Sequence, residues 1–387
     1  MATTITVPGA ESTYVPNTYN TPYNTAVAQQ ISNMLAESQS NGTLFVQNSD
    51  LNPGPVPAGF TGEVVDTVPG GGVVDVPPGY TYTAIDQSVT GPVTVMSGGS
   101  LFAGNQTLTY YGAAASSPVY IAAGDGNDLI GLAPGSTYQV GLGNGNDTVY
   151  ANGSGTVTGG SGDNLFFADS AGGQNLVNSY GASDTIVAGQ GSVSVATYGA
   201  NPLVDGGSGQ LVYIGSAGVA GNPTITGGTG QETLFGGAGQ NITYTDGSNT
   251  TTGANIMAAG SGNETLNAGG AKYGVQMAVG SGSVDMIGST GNDTFFGGSG
   301  TATITGNGGS DQLVVGTVPG HTGGTDIFTD FNSNDLFVVC GYGANAAQNA
   351  LNAATVAGGN TTVKLSDNTT ITFLGITNPG TINNISY

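Results

Sequence analysis

Arginine and tryptophan are absent from this chain, histidine and cysteine occur once each (His321 and Cys340), and lysine occurs only as Lys272 and Lys364. Each scarcity removes a class of function. Two basic side chains against 24 Asp and Glu leave a formal charge of −22, so there is no basic patch for a phosphate backbone or an anionic bilayer. Nucleic acid and membrane lipid are poor partners for such a chain. A single histidine, set in the loop Pro319-Gly320-His321-Thr322-Gly323-Gly324, builds neither a multi-histidine metal centre nor a histidine-based triad. Enzymes that act on acidic polysaccharides neutralise the substrate carboxylate with Arg or Lys, which are nearly missing here. The lone Cys340 allows no intramolecular disulfide, and within Leu336-Phe337-Val338-Val339-Cys340 it is expected to be a small buried hydrophobe. No stretch approaches the ~18 apolar residues of a membrane span. No charged segment followed by an apolar run opens the chain, so a cleaved secretory signal is not expected, leaving a cytoplasmic location or export by a route encoded elsewhere.

What is abundant is glycine, 71 of 387 residues, well above the usual share of about 7% and without the three-residue period of collagen. The organising stretch is 288 to 313, GSTGNDTFF-GGSGTATIT-GNGGSDQL, where nine-residue units follow one another, each opening on a Gly-rich turn and closing on alternating apolar residues. A short fixed period marks a solenoid, because one unit buries its apolar face only by stacking on the next. Asp293 and Asp311 take the sixth position of the first and third units and Ala302 that of the second. The aspartates are therefore expected on the same side of adjacent coils, and the opposite side should lack its carboxylate. From about 120 the same turns recur with looser spacing, as in Gly124-Asp125-Gly126-Asn127-Asp128 and Gly143-Asn144-Gly145-Asn146-Asp147. Asn164, Gln210, Glu232, Asn241 and Glu264 stand where other turns carry Asp. Side-chain hydrogen bonds without metal are expected to close those turns.

The first sixty residues differ. Residues 1 to 23 are rich in Thr, Pro, Tyr and Asn and are expected to form an extended arm without a core. Val27, Ile31, Met34 and Leu35 predict one face of a helix from Thr25 to Ser38, with Asn24 as N-cap and Asn41-Gly42 as the stop. That face is expected to cap the first coil of the solenoid, or alternatively to dock on a neighbouring molecule. Six prolines between 53 and 78 disfavour long strands there. Short alternating runs then begin with Tyr80-Thr81-Tyr82-Thr83-Ala84-Ile85.

The tandem unit resembles the G-G-x-G-x-D-x-U-x nonapeptide of repeats-in-toxin (RTX) proteins. Asp326-Ile327-Phe328-Thr329-Asp330-Phe331 with Asn334-Asp335-Leu336-Phe337-Val338, a short helix about Ala344 to Ala354 and a hairpin from Gly358 to Ile376 are similar to the end of many such arrays. The resemblance implies an all-β, right-handed parallel β-solenoid (β-roll or β-helix) with a short N-terminal helix and a C-terminal β cap. It also implies calcium as the bound ion, and a C-terminal region recognised by type I secretion, hence an extracellular or cell-surface place in a Gram-negative bacterium. Calcium takes six to eight hard oxygens, supplied in such a roll by turn carbonyls and the Asp carboxylates of two stacked turns. Asp293 with Asp311 meets that requirement, Asp128 with Asp147, 19 residues apart, nearly does, and Asp125 is a further candidate ligand. The domains expected are 1–60, arm and helix; 61–316, solenoid; and 317–387, cap and secretion region.

A solenoid has complementary ends, so the leading expectation is a non-enzymatic structural protein that binds itself as a filament, surface layer or biofilm matrix. A monomeric calcium-dependent adhesin for glycan or cell-surface polysaccharide is the alternative. In Tyr110-Tyr111 and Phe166-Phe167 one ring of each pair is then expected inside. A carbohydrate-active enzyme with paired carboxylates is the third reading.

Overall fold

Strands of three to six residues with alternate side chains buried make no core singly; stacked in register they make one. The computed structural model describes residues 2–51, 53–247, 255–316 and 323–387. The single histidine, His321, expected in a loop, lies outside them. Contacts divide the chain into two units, Met1–Pro202 and Leu203–Tyr387.

In the first unit the chain alternates between two parallel sheets. One starts at Leu44–Asn48 and Thr61–Asp66 and continues through Tyr80–Ile85, Ser100–Phe102, Val119–Ala122 and Thr137–Gly141. The other starts at Gly72–Asp75 and continues through Val93–Gly98, Leu108–Gly112, Leu129–Gly131, Thr148–Tyr150 and Leu165–Ala168. Between them Ile121 and Val140 face Ile130, Val149 and Phe166, all buried. The second unit repeats the plan. One sheet runs from Leu211–Ile214 through Thr294–Phe296 and Gln312–Gly316 to Leu336–Cys340, and the other from Leu203–Asp205 through Thr301–Thr305 to Thr325–Phe328. The fold is thus the expected parallel β-solenoid, with the tandem nonapeptides as successive strands on alternate sheets.

The arm is more regular than expected. Thr3–Pro8 and Tyr14–Tyr19 form an antiparallel hairpin, and Ile5, Val7, Val15 and Tyr19 are buried. Its turn holds Glu11 and Ser12 at φ 54° and 65°. The helix spans Pro22–Ser40, starting before the expected Thr25. Thr21 is the N-cap: its hydroxyl accepts the Asn24 N–H at 3.2 Å, while the Asn24 side chain accepts the Thr21 N–H at 3.3 Å. Asn24 therefore belongs to a capping box three residues inside the helix, with Pro22 pre-set for its first position.

The helix does not cover the end of the solenoid. Val27, Ala28, Ile31 and Leu35 lie along the flank of the first unit, packed on outward residues Val65, Ala84, Phe102 and Ala122 of one sheet. Asn24 Nδ2 donates to the Ala123 carbonyl at 3.0 Å and Asn17 Nδ2 to the Ile85 carbonyl at 2.8 Å. A Cβ at Gly141 would stand 2.8 Å from the Asn24 Cα, so only glycine lets the helix start sit so close. The same-molecule partner was expected; the placement on the flank was not.

In the second unit Ala346–Asn352 is a short helix, Thr355–Ala357 pairs antiparallel with Asn360–Lys364, and Thr370–Phe373 joins the latter to Thr325–Phe328. Phe331 meets Phe328 and Phe373 edge-on at 5.2 and 4.9 Å, closing the core of the second unit. Cys340 is half-buried, not fully buried as expected, because it stands at the end of its strand.

Candidate functional site: stacked acidic turns

In the first unit Leu129 pairs with Thr148, which sets the preceding Asp128 and Asp147 one coil apart on one side. Each points into its turn and holds the coil before it. Asp128 Oδ1 accepts the Leu108 N–H at 2.9 Å, and Asp147 Oδ1 accepts the Asp128 N–H at 2.9 Å. The ladder continues as Asn164 Oδ1 takes the Asp147 N–H at 3.1 Å and Asp184 Oδ1 the Asn164 N–H at 2.7 Å.

The second oxygens of Asp128 and Asp147 are buried without a hydrogen-bond partner. Burial, and then the neighbouring carboxylates, push Asp128 well above the ordinary carboxyl range and Asp147 up to about 7. Two buried carboxylates with unpartnered oxygens are costly as anions unless a cation joins them. Their oxygens are the hard donors that calcium prefers.

Backbone oxygens stack beside them. A Cβ at Gly143 would stand 1.9 Å from the Gly124 carbonyl oxygen, and one at Gly145 1.7 Å from that of Gly126. Neither glycine has positive φ. Here glycine is required because the carbonyl of the previous coil occupies the place of a side chain. Asp125 is turned elsewhere: Oδ1 accepts the Asn144 N–H at 3.0 Å, and Oδ2 is hydrogen-bonded by Asn20 of the arm.

The second unit brings Asp293 and Asp311 together in the same way, with the Asp293 N–H donating to Asp311 Oδ1 at 2.9 Å. Asp335 Oδ1 extends this ladder by accepting the Asp311 N–H at 2.9 Å. Here Asp293 is fully engaged. Its Oδ1 accepts the Val275 N–H at 2.8 Å and the Ser289 hydroxyl at 2.7 Å, and its Oδ2 accepts the Ser289 N–H at 2.8 Å. Burial raises both carboxyls, Asp311 to about 7. Across the coil Ala302 is buried beside Asp326, whose two oxygens have no partner and whose carboxyl burial lifts to about 7.

The turns without Asp are closed by hydrogen bonds. Glu232 Oε1 accepts the Gly228 N–H at 2.7 Å, Glu264 Oε1 the Gly260 N–H at 2.8 Å, and Asn241 Oδ1 the Asn263 N–H at 2.9 Å. Gln210 is exposed. Asp184 escaped sequence reasoning because Gly181-Ala182-Ser183 precedes it and no double glycine does. Its signal was the Asp-Thr followed by an apolar residue, shared with Asp147 and Asp293. Among the described residues no three His, Cys, Asp or Glu side chains converge as a metal cluster, so a calcium ion at either aspartate pair would have to complete its shell with turn carbonyls. None of the described helices is long and apolar enough to cross a membrane.

Residues 217–243 and 285–317 match the RTX calcium-binding nonapeptide repeat, in four copies. No curated protein matches the chain. The second matched stretch contains Asp293 and Asp311, and both stretches lie in the parallel coils described above. The chain carries RTX-type calcium-binding repeats on a parallel β-solenoid.

Proposed function

We propose that the protein is a secreted, non-enzymatic structural repeat protein that self-assembles end to end into an extracellular filament, surface layer or biofilm matrix, with calcium stiffening its acidic turns. The observation that carries this reading is a set of open strand edges. Leu44–Asn48 and Gly72–Asp75, the first strands of the two sheets of the first unit, pair on one side only, and Val73 is 72% exposed. The helix and the hairpin turn Ala10–Ser12 touch Leu44–Asn48, whose five residues are half-buried, so the edge of Gly72–Asp75 is the more open of the two. In the second unit, among the described residues, Asn384–Ser386 pairs as a strand only with Leu336–Cys340, while the Ala346–Asn352 helix packs on it with the Ala347 N–H donating to the Ser386 hydroxyl at 2.9 Å, and all three residues of Thr355–Ala357 are exposed. An open edge offers N–H and C=O groups to another chain, and contact between unlike ends propagates instead of closing.

Asp128 and Asp147 hold the first calcium ion, with carbonyls of their turns completing the shell. Asp293 and Asp311 hold a second, weaker one, because the ion must displace the Ser289 donors from Asp293. Asp125 ties the arm down through Asn20 and joins the shell only by giving up that bond. Negative-stain electron microscopy of the purified chain tests the assembly. Regular filaments or sheets in millimolar calcium are expected, and dispersed particles in both calcium and chelator would overturn it.

One observation favours the adhesin as a second reading. On the outer side of the second sheet of the first unit, Met96, Tyr111, Gly131, Tyr150 and Phe167 form one column. Tyr111 and Tyr150 are 46% and 43% exposed, and the Tyr150 and Phe167 rings stack at 4.8 Å. Tyr110 and Phe166 face inward, as expected. Exposed rings on a flat sheet suit the apolar faces of a neutral glycan. A chain that stays monomeric and loses glycan binding on Tyr111→Ala with Tyr150→Ala would establish this reading in place of the first.

A further inference from the structure

In the second unit one sheet carries no charged side chain on the outer side of its strands from Leu211–Ile214 to Gln312–Gly316. Along its strands Ile214, Phe235, Ala258, Ala278, Phe296 and Val314 form one outward column, each a coil from the next. Ile214, Phe235 and Phe296 are 47%, 45% and 39% exposed. The neighbouring column, two residues earlier on each strand, is Val212, Thr233, Ile256, Gln276, Thr294 and Gln312. Six strands at about 4.8 Å make a flat stripe roughly 24 Å long.

Three observations point to the same occupant. First, the chain carries −22, so a copy approaching most of its surface meets carboxylates, as it would on the other sheet of this unit, where Asp205 and Asp285 point outward. The uncharged stripe is where that repulsion is least. Second, the column reads Ile-Phe-Ala-Ala-Phe-Val, almost the same in either direction. In a two-fold contact residue i meets j and j meets i, and this order lets apolar positions face apolar positions along the whole stripe. Third, the first unit treats a similar column, Val65, Ala84, Phe102 and Ala122, as a surface to be covered, and its own helix buries it. No described segment does this for the second unit, whose phenylalanines stay open.

We propose that two copies of the chain pair laterally, this face of the second unit against the same face of its partner about a two-fold axis. Sheets packed in this way lie about 10 Å apart with their side chains between them. The contact is independent of the end-to-end assembly and would make filaments double or, without filaments, make dimers.

The test replaces Phe235 and Phe296 with glutamate in the full chain. Both sites are exposed, so the fold should tolerate the change while like charges meet across the two-fold. Sedimentation equilibrium is used where the chain is not polymerised, and mass per unit length by scanning transmission electron microscopy where it is. The parent is expected to show twice the single-copy value and the F235E/F296E variant the single-copy value, with F235L/F296L keeping the parent's. If the double variant loses its β circular-dichroism signal, Q276E, at an exposed position in the neighbouring column, makes the same test without removing an apolar group. A parent of single-copy mass, or a folded charged variant with the parent's mass, overturns the proposal. Failure of end-to-end assembly alone changes polymer length and leaves this ratio untouched.

Discussion

The two acidic ladders are built alike and finished differently. In both, an aspartate oxygen accepts the N–H of the aspartate one coil earlier, at 2.9 Å in each case. In the first unit the other oxygens of Asp128 and Asp147 are left buried and unpartnered. In the second, Ser289 supplies a hydroxyl and an N–H to Asp293. The difference separates two roles that one residue type serves. A hydrogen-bonded ladder holds coils together without metal; a ladder with oxygens to spare asks for a cation.

The largest effect expected is steric. Gly145→Ala forces a Cβ to 1.7 Å from the Gly126 carbonyl oxygen, whereas at Gly308 the nearest atom lies at 3.9 Å. Thermal unfolding should report a loss of about 3 kcal/mol for the first and under about 1 kcal/mol for the second.

Next comes charge. Asn164 already shows that an amide serves in the first ladder, accepting the Asp147 N–H. Replacing Asp128 and Asp147 together by Asn should therefore stabilise the metal-free chain at pH 8 by about 1–3 kcal/mol in denaturant titration, while the parent regains the difference in calcium. The same pair of changes at Asp293 and Asp311 should gain less, because Ser289 already solvates Asp293.

The pH dependence follows with a definite sign. Asp147 and Asp311 have folded values raised to about 7, so the fold binds their protons more tightly than the unfolded chain does. That contribution is complete below the unfolded value near 4 and is lost as pH rises through about 7. In chelator the melting temperature should fall between pH 5 and 8, by roughly 5 °C. Calcium should flatten the decline, since the ion binds the deprotonated form. A melting temperature that rises over this window in chelator would contradict the assignment.

The smallest effect sharpens the contrast. Ser289→Ala removes a 2.7 Å hydrogen bond to Asp293 and should tighten calcium at the second pair by roughly fivefold in a calorimetric titration, equivalent to about 1 kcal/mol. The first pair should not respond.

Much of this was legible in the chain. The nine-residue period fixes the coil, and separations of 18 and 19 residues place each aspartate pair in adjacent turns. The helix face was plain from Val27, Ile31 and Leu35, yet its start was missed although Thr21-Pro22 is a cap followed by a preferred first residue. Pro8 and Pro16 masked the hairpin, which tolerates them in an isolated two-stranded ladder. That the helix lies on the flank depends on Gly141 and the outward column from Val65 to Ala122, a packing relation between distant residues that no local pattern encodes. The unequal finish of the two ladders was equally hidden. Ser289 stands four residues before Asp293, but only its rotation into the turn makes it a donor.

The most direct test is a calcium titration by calorimetry of the parent, D128N/D147N and D293N/D311N at pH 8. The tightest binding step should vanish in D128N/D147N and persist in D293N/D311N, which loses only a weaker step. Loss of the tightest step in D293N/D311N, with D128N/D147N titrating like the parent, would contradict the account.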